Sequence, residues 1–192
     1  AQWPLVVIHE LVVGVAVGIA ANLVFDAVQM AGQVLSIQMG YSLVNILDPQ
    51  TQVESTVVAL FHQTVAMLVF LSLNVHHALL RVIANSFEYL PVGTAQVRPL
   101  FTSAVLKIGG SVFSLGMQIA APVLAATLVA DIVIGLMGKA SPQMPLMLLG
   151  PAIKSMLGVA VLLGAVKYWP DLLDGWFLNS LTYAERLLRL AR

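Results

Sequence analysis

The chain has 192 residues, of which 59% are hydrophobic and only 9% charged, and its mean hydropathy is +0.94. Lys plus Arg and Asp plus Glu number 9 each, which excludes a nucleic-acid binder working through a basic surface and a disordered chain held open by charge. Without cysteine there is no disulfide scaffold, zinc ribbon or thiol nucleophile, and a soluble domain would carry roughly a quarter charged residues. What remains is a helical membrane protein, or part of one.

Charges are sparse enough to mark out segments. None falls between Asp26 and Asp48, between Glu54 and Arg81, or between Lys107 and Asp131, and a helix crossing hydrocarbon needs about 20 mostly apolar residues. The chain opens Ala1-Gln2-Trp3-Pro4 with no Met and no charged leader region, so residue 1 is expected to be a cut or processed end. A first helix is expected from about Leu5 to Ile37, loosened at Gly32. A second is expected from about Gln52 to Phe87, with Thr51 and Glu54 at capping-box spacing and Asp48-Pro49 stopping the element before it. A third runs from about Pro99 to Met137. Pro122 inside it removes a backbone hydrogen bond, which predicts a bent rod or a hairpin. A fourth starts at Ser141-Pro142, a cap followed by a first-turn proline, and reaches about Tyr168 with Pro151 inside.

The last stretch, Asp171 to Ala191, differs in kind. Leu173, Trp176, Phe177, Leu181, Ala184, Leu187, Leu188 and Ala191 recur at three- and four-residue spacing, with acids first and arginines last. That is an amphipathic helix oriented with its dipole, packed on a partner or lying at an interface.

Several features could carry chemistry. Gly14 and Gly18 form a small-xxx-small pattern that allows two helix backbones to approach. Asn22, Asp26, Gln29, Gln33 and Ser36 make one polar stripe on an otherwise apolar helix. Such a face must meet protein or water, either as a hydrogen-bonded seam between subunits or, through Asp26, as a proton or ion site. The segment from Met39 to Gln50 mixes apolar side chains with Gly, Ser and Asn, and it either packs inside a partner or fills a hole. Adjacent His76 and His77 point about 100° apart on a helix, poor geometry for one metal. His77 and Arg81 share a face and could pair with an acid elsewhere, as part of a structural polar cluster. Asp131, Lys139, Lys154 and Lys167 mark helix ends or form a relay, with Lys154 the most deeply placed. No nucleophile–base order, phosphate loop or paired-carboxylate motif stands out, so the residues point to no enzyme and no cofactor or metal. Basic residues do not alternate along the chain as an ordinary polytopic transporter requires.

The same residues resemble the FliR family, the R subunits of the flagellar type III protein-export gate. The resemblance spans the whole chain and rests on blocks in order: Ala31-Gly32 through Gln38-Met39-Gly40, then Asp48-Pro49. Phe70-Leu71 running to His76-His77 follows, with Val75 where the family usually has Gly, then Ser86-Phe87 with Leu90-Pro91-Val92-Gly93, and Ser141-Pro142-Gln143. It implies an all-α, membrane-associated export-gate subunit with long kinked helix hairpins. A P-like half over about 1–97 would be followed by a Q-like half over about 98–192, and the family's N-terminal part would be missing. It further implies assembly with P and Q subunits, larger export-gate and basal-body proteins as neighbours, unfolded protein substrates, and a place in the bacterial inner membrane at the flagellar basal body. The loop holding Met39, Gly40, Leu43, Ile46, Asp48 and Pro49 would plug the channel entrance, with Leu43 and Ile46 as the plugging side chains. Asn22, Asp26, Gln29, Gln33, His77 and Arg81 would lie in subunit seams. The reading from a different class is a secondary transporter with helices broken near Pro122 and Pro151 and an intramembrane site near Asp26. A third, an intramembrane hydrolase using His76 or His77 with Glu10 or Asp26, has less behind it.

Overall fold

The computed structural model describes residues 3–41, 57–91, 93–140 and 146–191, and among them the regular structure is all helix. Six α-helices follow in order: α1 (Trp3–Gln38), α2 (Val57–Ser72), α3 (Val75–Tyr89), α4 (Pro99–Ala140), α5 (Leu146–Ala165) and α6 (Trp169–Leu190), with a 3-10 turn Val166–Tyr168 between the last two. Trp3–Gln38, Pro99–Ala140 and Leu149–Leu190 are each long and apolar enough to cross a membrane, and in each the chain itself buries less than half of the most apolar window. The remainder of those faces must meet lipid or other protein. This is an all-α membrane protein.

Two of the expected elements differ from the structure. The helix expected over 52–87 is two helices, bent by 71° between α2 and α3. The break falls at Leu73-Asn74, where Asn74 takes a left-handed conformation with φ 55. Asn tolerates that region better than other non-glycine residues, and its carbonyl accepts the His77 amide at 3.1 Å to start α3. The stretch around Pro122 is no hairpin, because α4 continues through it as one helix. At Gly32, where the helix is expected to loosen, α1 is continuous. Instead that glycine is a close-packing position: a Cβ there would stand 2.5 Å from the Ala59 Cα. The expected capping residues Thr51 and Glu54, and Ser141-Pro142, lie outside the described residues.

The chain divides into two compact units. One is built from 1–27, 66–114 and 171–192, the other from 28–65 and 115–170. In the first, the apolar face predicted for the terminal helix is the buried one: Leu173, Phe177, Ala184, Leu187 and Leu188 are all sequestered, and Trp176 is half-buried. Phe177 meets Phe25 and Phe70 at ring-centroid distances of 5.6 and 5.4 Å, and Phe25 meets Phe70 at 5.3 Å. The end of α6 is tied to the connector before α4, where the Gln96 amide donates to the Ala191 carbonyl at 2.8 Å. Gly93, at φ 90, gives its amide to Glu10 Oε1 at 2.8 Å.

In the second unit, Val28, Leu35 and Met39 of α1 are buried, as are Leu115 and Val123 of α4. His62 is fully buried too. Its Nδ1–H donates to the Val58 carbonyl at 2.7 Å, and its ring lies 4.7 Å from that of Trp169.

Candidate functional site

The C-terminal end of α1 has a defined stop. Gly40 adopts φ 85, the Tyr41 amide reaches back to the Ser36 carbonyl at 2.9 Å, and the Gly40 amide bonds the Ile37 carbonyl at 3.1 Å. These are the two bonds of a Schellman motif, which needs a residue without a Cβ at its left-handed position. The helix thus ends at the point where the chain passes into residues 42–56.

Each of the four residues at this end is held by the α4–α5 pair, which runs antiparallel with Ile134 beside Gly150 and Asp131 beside Lys154. Gln38 Nε2 donates to Asp131 Oδ2 at 3.1 Å. Met39 is 1% exposed, and its side chain lies where a Cβ on Gly158 would be, 2.7 Å from Cγ. Gly40 abuts Pro151, whose Cβ would be 3.2 Å from a Cβ added to the glycine. The Tyr41 phenolic oxygen accepts from Ser155 Oγ at 2.6 Å. On α5 the four positions are 151, 154, 155 and 158, the spacing of one helix face.

Asp131 links the two halves of this cluster. While Oδ2 accepts from Gln38, Oδ1 takes Lys154 Nζ at 2.9 Å, with side-chain exposures of 43% for Asp131 and 20% for Lys154. This is the ion pair found among the described residues. Charges inside apolar helical regions are costly alone and are accordingly paired. Here the pairing fixes α5 against α4 and presents a carboxylate oxygen to α1.

Other residues singled out from the sequence are distributed more widely. Asn22 Nδ2 donates to Asp26 Oδ1 at 2.6 Å, so this carboxylate is satisfied one helical turn away. Gln29 is half-buried and Gln33 exposed, whereas Ser36 is buried with its hydroxyl on the Gly32 carbonyl at 2.8 Å. His77 and Arg81 are exposed and, among the described residues, meet no acid. The His76 and His77 rings lie 4.1 Å apart, but Glu10 is engaged by Gly93 and Asp26 by Asn22. The structure brings neither carboxylate to a histidine. Among the described residues no three His, Cys, Asp or Glu side chains gather to hold a metal. At Gly14 and Gly18 an added Cβ would meet nothing within 4 Å among the described residues, so those residues do not use that pattern to pack on one another. Leu43, Ile46, Asp48 and Pro49 lie outside the described residues.

The sequence marks Asp131 and Lys154 as helix ends or members of a relay, and it does not link Gln38, Tyr41 or Ser155 to them. The available signal was solvation. An amide, a carboxylate and an ammonium within apolar runs each need a partner, and three such groups could have been matched as one set.

Comparisons with known proteins bear on what this arrangement serves. Residues 1–180 match the model of the family described as bacterial export proteins, family 1. Among curated relatives, the flagellar biosynthetic protein FliR of Bacillus subtilis is 33% identical over 156 residues, covering 80% of this chain and 60% of that protein. FliR of Escherichia coli is 26% identical over 155 residues, covering 81% and 59%. FliR of Caulobacter vibrioides is 29% identical over 170 residues, covering 86% and 67%. The chain thus spans about three fifths of the length of the first two of these relatives. With a family match running along nearly all of its residues, the chain belongs to the bacterial export proteins, family 1, and its relatives there are FliR proteins.

Proposed function

We propose that the chain is a structural and gating subunit of the flagellar type III protein-export channel. In this reading it is not an enzyme. It assembles with P and Q subunits, sits with larger export-gate and basal-body proteins in the bacterial inner membrane, and passes unfolded protein substrates. Residues to about 97 act as a P-like half and those from about 98 as a Q-like half. The observation that carries the reading is the fastened end of α1, in a chain of a bacterial export family. Four consecutive residues are spent on fixing where the chain leaves the helix bundle, as a segment reaching a fixed target would require. Leu43 and Ile46, a few residues further on, are the apolar side chains that would occupy the channel entrance. The uncovered faces of the three long helices give such a subunit the surface it needs for neighbours.

Two experiments test this. The full-length chain is co-expressed with P and Q subunits and the detergent-purified product weighed by native mass spectrometry. One copy within a larger hetero-oligomer is the expected result, while a monomer or homodimer that ignores both partners would sink the reading. Removing residues 43–46 should then leave that assembly intact and make cells leak ions, and unchanged permeability in an assembled complex counts against the plug.

Asp26→Asn separates the subunit from a transporter. Asn22 can still bond the amide that replaces the carboxylate, so export should persist with at most weaker assembly, a change of about 1 kcal/mol for one hydrogen bond. A transporter relying on an ionised Asp26 would lose turnover altogether.

A further inference from the structure

In the first unit α4 and α6 meet beside the Gln96–Ala191 bond, and a pocket of about 120 Å³ lies between them. One water requires roughly 10–15 Å³, so a phosphate-sized group has room. The floor is apolar, with Ile108 and Leu187 buried in it. Ser103 and Lys107 line the pocket from α4, and Tyr183 and Arg186 from α6. Both cations are exposed, and no acid stands among the described residues that line it. Several other cations are matched: Lys154 has Asp131, Arg98 has the Gln96 side-chain oxygen, and Lys167 and Arg189 lie over the rings of Tyr168 and Tyr89. Among the described residues Lys107 and Arg186 have no such partner. Two positive charges flanking one apolar pocket repel each other, and an anion between them offsets that repulsion. The side chains suit a phosphate: a guanidinium grips two of its oxygens, an ammonium adds a point charge and the phenol another donor.

The level of the pocket along α4 indicates which phosphate. Lys107 is the last charge before residues 108–130, which carry none. As helix those residues span about 35 Å at 1.5 Å per residue, close to the roughly 30 Å of a bilayer's hydrocarbon core, and α4 is apolar enough to cross. Lys107 therefore stands where hydrocarbon gives way to headgroups, and Tyr183 is of the residue type that collects at that level. One turn on from Lys107 an added Cβ at Gly110 would meet nothing within 4 Å, and Phe113 beyond it is 64% exposed. That leaves an open apolar track leading away from the cations. We propose that the pocket binds the phosphate of an anionic phospholipid between Lys107 and Arg186, with an acyl chain lying along α4 towards Phe113. Basic pockets between membrane helices take such headgroups by charge and shape. The bound lipid bridges α4 and α6 and stabilises the docked terminal helix. A carboxylate from a protein partner has the right charge but leaves the apolar track unexplained. The inference needs only that α4 lies in a membrane, and it stands apart from the export reading.

The test uses the full-length chain, purified in mild detergent with any subunits that accompany it and placed in nanodiscs. The discs hold phosphatidylcholine alone or phosphatidylcholine with phosphatidylglycerol. Phosphatidylglycerol should raise the melting temperature by several degrees, because a ligand that binds only the folded form stabilises it. Native mass spectrometry should find that lipid retained on the parent chain. Each cation near an anionic headgroup contributes about five-fold in affinity. Lys107→Gln and Arg186→Gln should therefore each bind the lipid about five-fold more weakly, and the double variant should lose both the retained lipid and the thermal shift. Both side chains are exposed, so the double variant should melt with the parent in phosphatidylcholine alone. Lys167→Gln removes a cation held over Tyr168, outside the pocket, and should keep the full response. If the double variant retains lipid and shift, or Lys167→Gln loses as much, the pocket is not the lipid site. Inorganic phosphate that reproduces the shift in lipid-free detergent would make it a site for free phosphate and overturn the lipid assignment. A double variant that binds lipid normally but loses accompanying subunits would show that the pocket receives an acidic protein group instead.

Discussion

Gly32→Leu is expected to abolish the assembly proposed above, and Gly32→Ala to lower the melting temperature of the purified protein. The reason is distance. A Cβ on Gly32 would stand 2.5 Å from the Ala59 Cα, 3.0 Å from its Cβ and 3.2 Å from its amide nitrogen. Two of those three atoms are backbone, so no side-chain rotation relieves the clash and α1 must separate from α2. Within the same unit Val28, Ala31 and Leu35 of α1 are fully buried, and each loses contact as the helices part. Forcing even a methyl group into such a packed site costs about 1–3 kcal/mol, and a leucine more. Gly14→Ala and Gly18→Ala are the controls. Neither Cβ meets anything within 4 Å, and alanine gains helix propensity of up to about 1 kcal/mol. The chain should fold with either substitution, and a loss of assembly there would mean that a neighbouring subunit closes on that face. A Gly32→Leu variant that assembled with unchanged thermal stability would show that the approach of α1 to Ala59 is not needed for the fold.

Gly32 also illustrates what could and could not be read from the chain itself. Its position in an apolar run suggested a weak point in a helix, whereas it is a contact point, and the difference lies in Ala59, 27 residues further on. Amphipathic α6 was readable, because a helix with one buried face repeats at three and four residues regardless of what covers it. Seven of the eight apolar positions named for it are buried, with Trp176 half-buried. The long α1 and α4 followed from the length of their apolar, sparsely charged runs. The break at Leu73-Asn74 did not, since every residue around it is as compatible with helix as with a bend, and a left-handed Asn is fixed by tertiary packing. Pro122 allowed a bent rod or a hairpin, and of the two only the hairpin is excluded, because α4 continues through the proline as one helix. Membrane helices tolerate such prolines because freed carbonyls find neighbouring donors. The polar cluster at the end of α1 was the least readable part. Its groups at 38, 131 and 154 were visible as polar residues in apolar surroundings, but no periodicity connects positions so far apart.

Phe177→Ala is expected to undock the terminal helix. Phe177 is 1% exposed, and its ring packs against Phe25 of α1 and Phe70 of α2 at 5.6 and 5.4 Å. These two rings also touch each other, edge to face, at 5.3 Å. One side chain therefore ties three helices of the first unit. Truncation to alanine removes a ring from a closed cluster and leaves a cavity, at a cost of about 3–5 kcal/mol, with each lost aromatic pair adding about 0.5–1.5 kcal/mol. That is a large part of what holds any domain folded. The flanking residues Leu173 and Leu187 remain to bury the same face, so the expected effect is detachment of α6 rather than general collapse. Limited proteolysis of the detergent-purified complex reads it directly, as new cleavage between Asp171 and Arg192 in the variant under conditions where the parent resists. Phe177→Leu keeps an apolar side chain in the site and should lose less than the alanine variant, with a smaller change in cleavage. A double variant with Phe70→Leu separates cluster from area. If the three rings act together, the effects of Phe70→Leu and Phe177→Leu combine non-additively; strict additivity would mean that each phenylalanine contributes only its own buried surface.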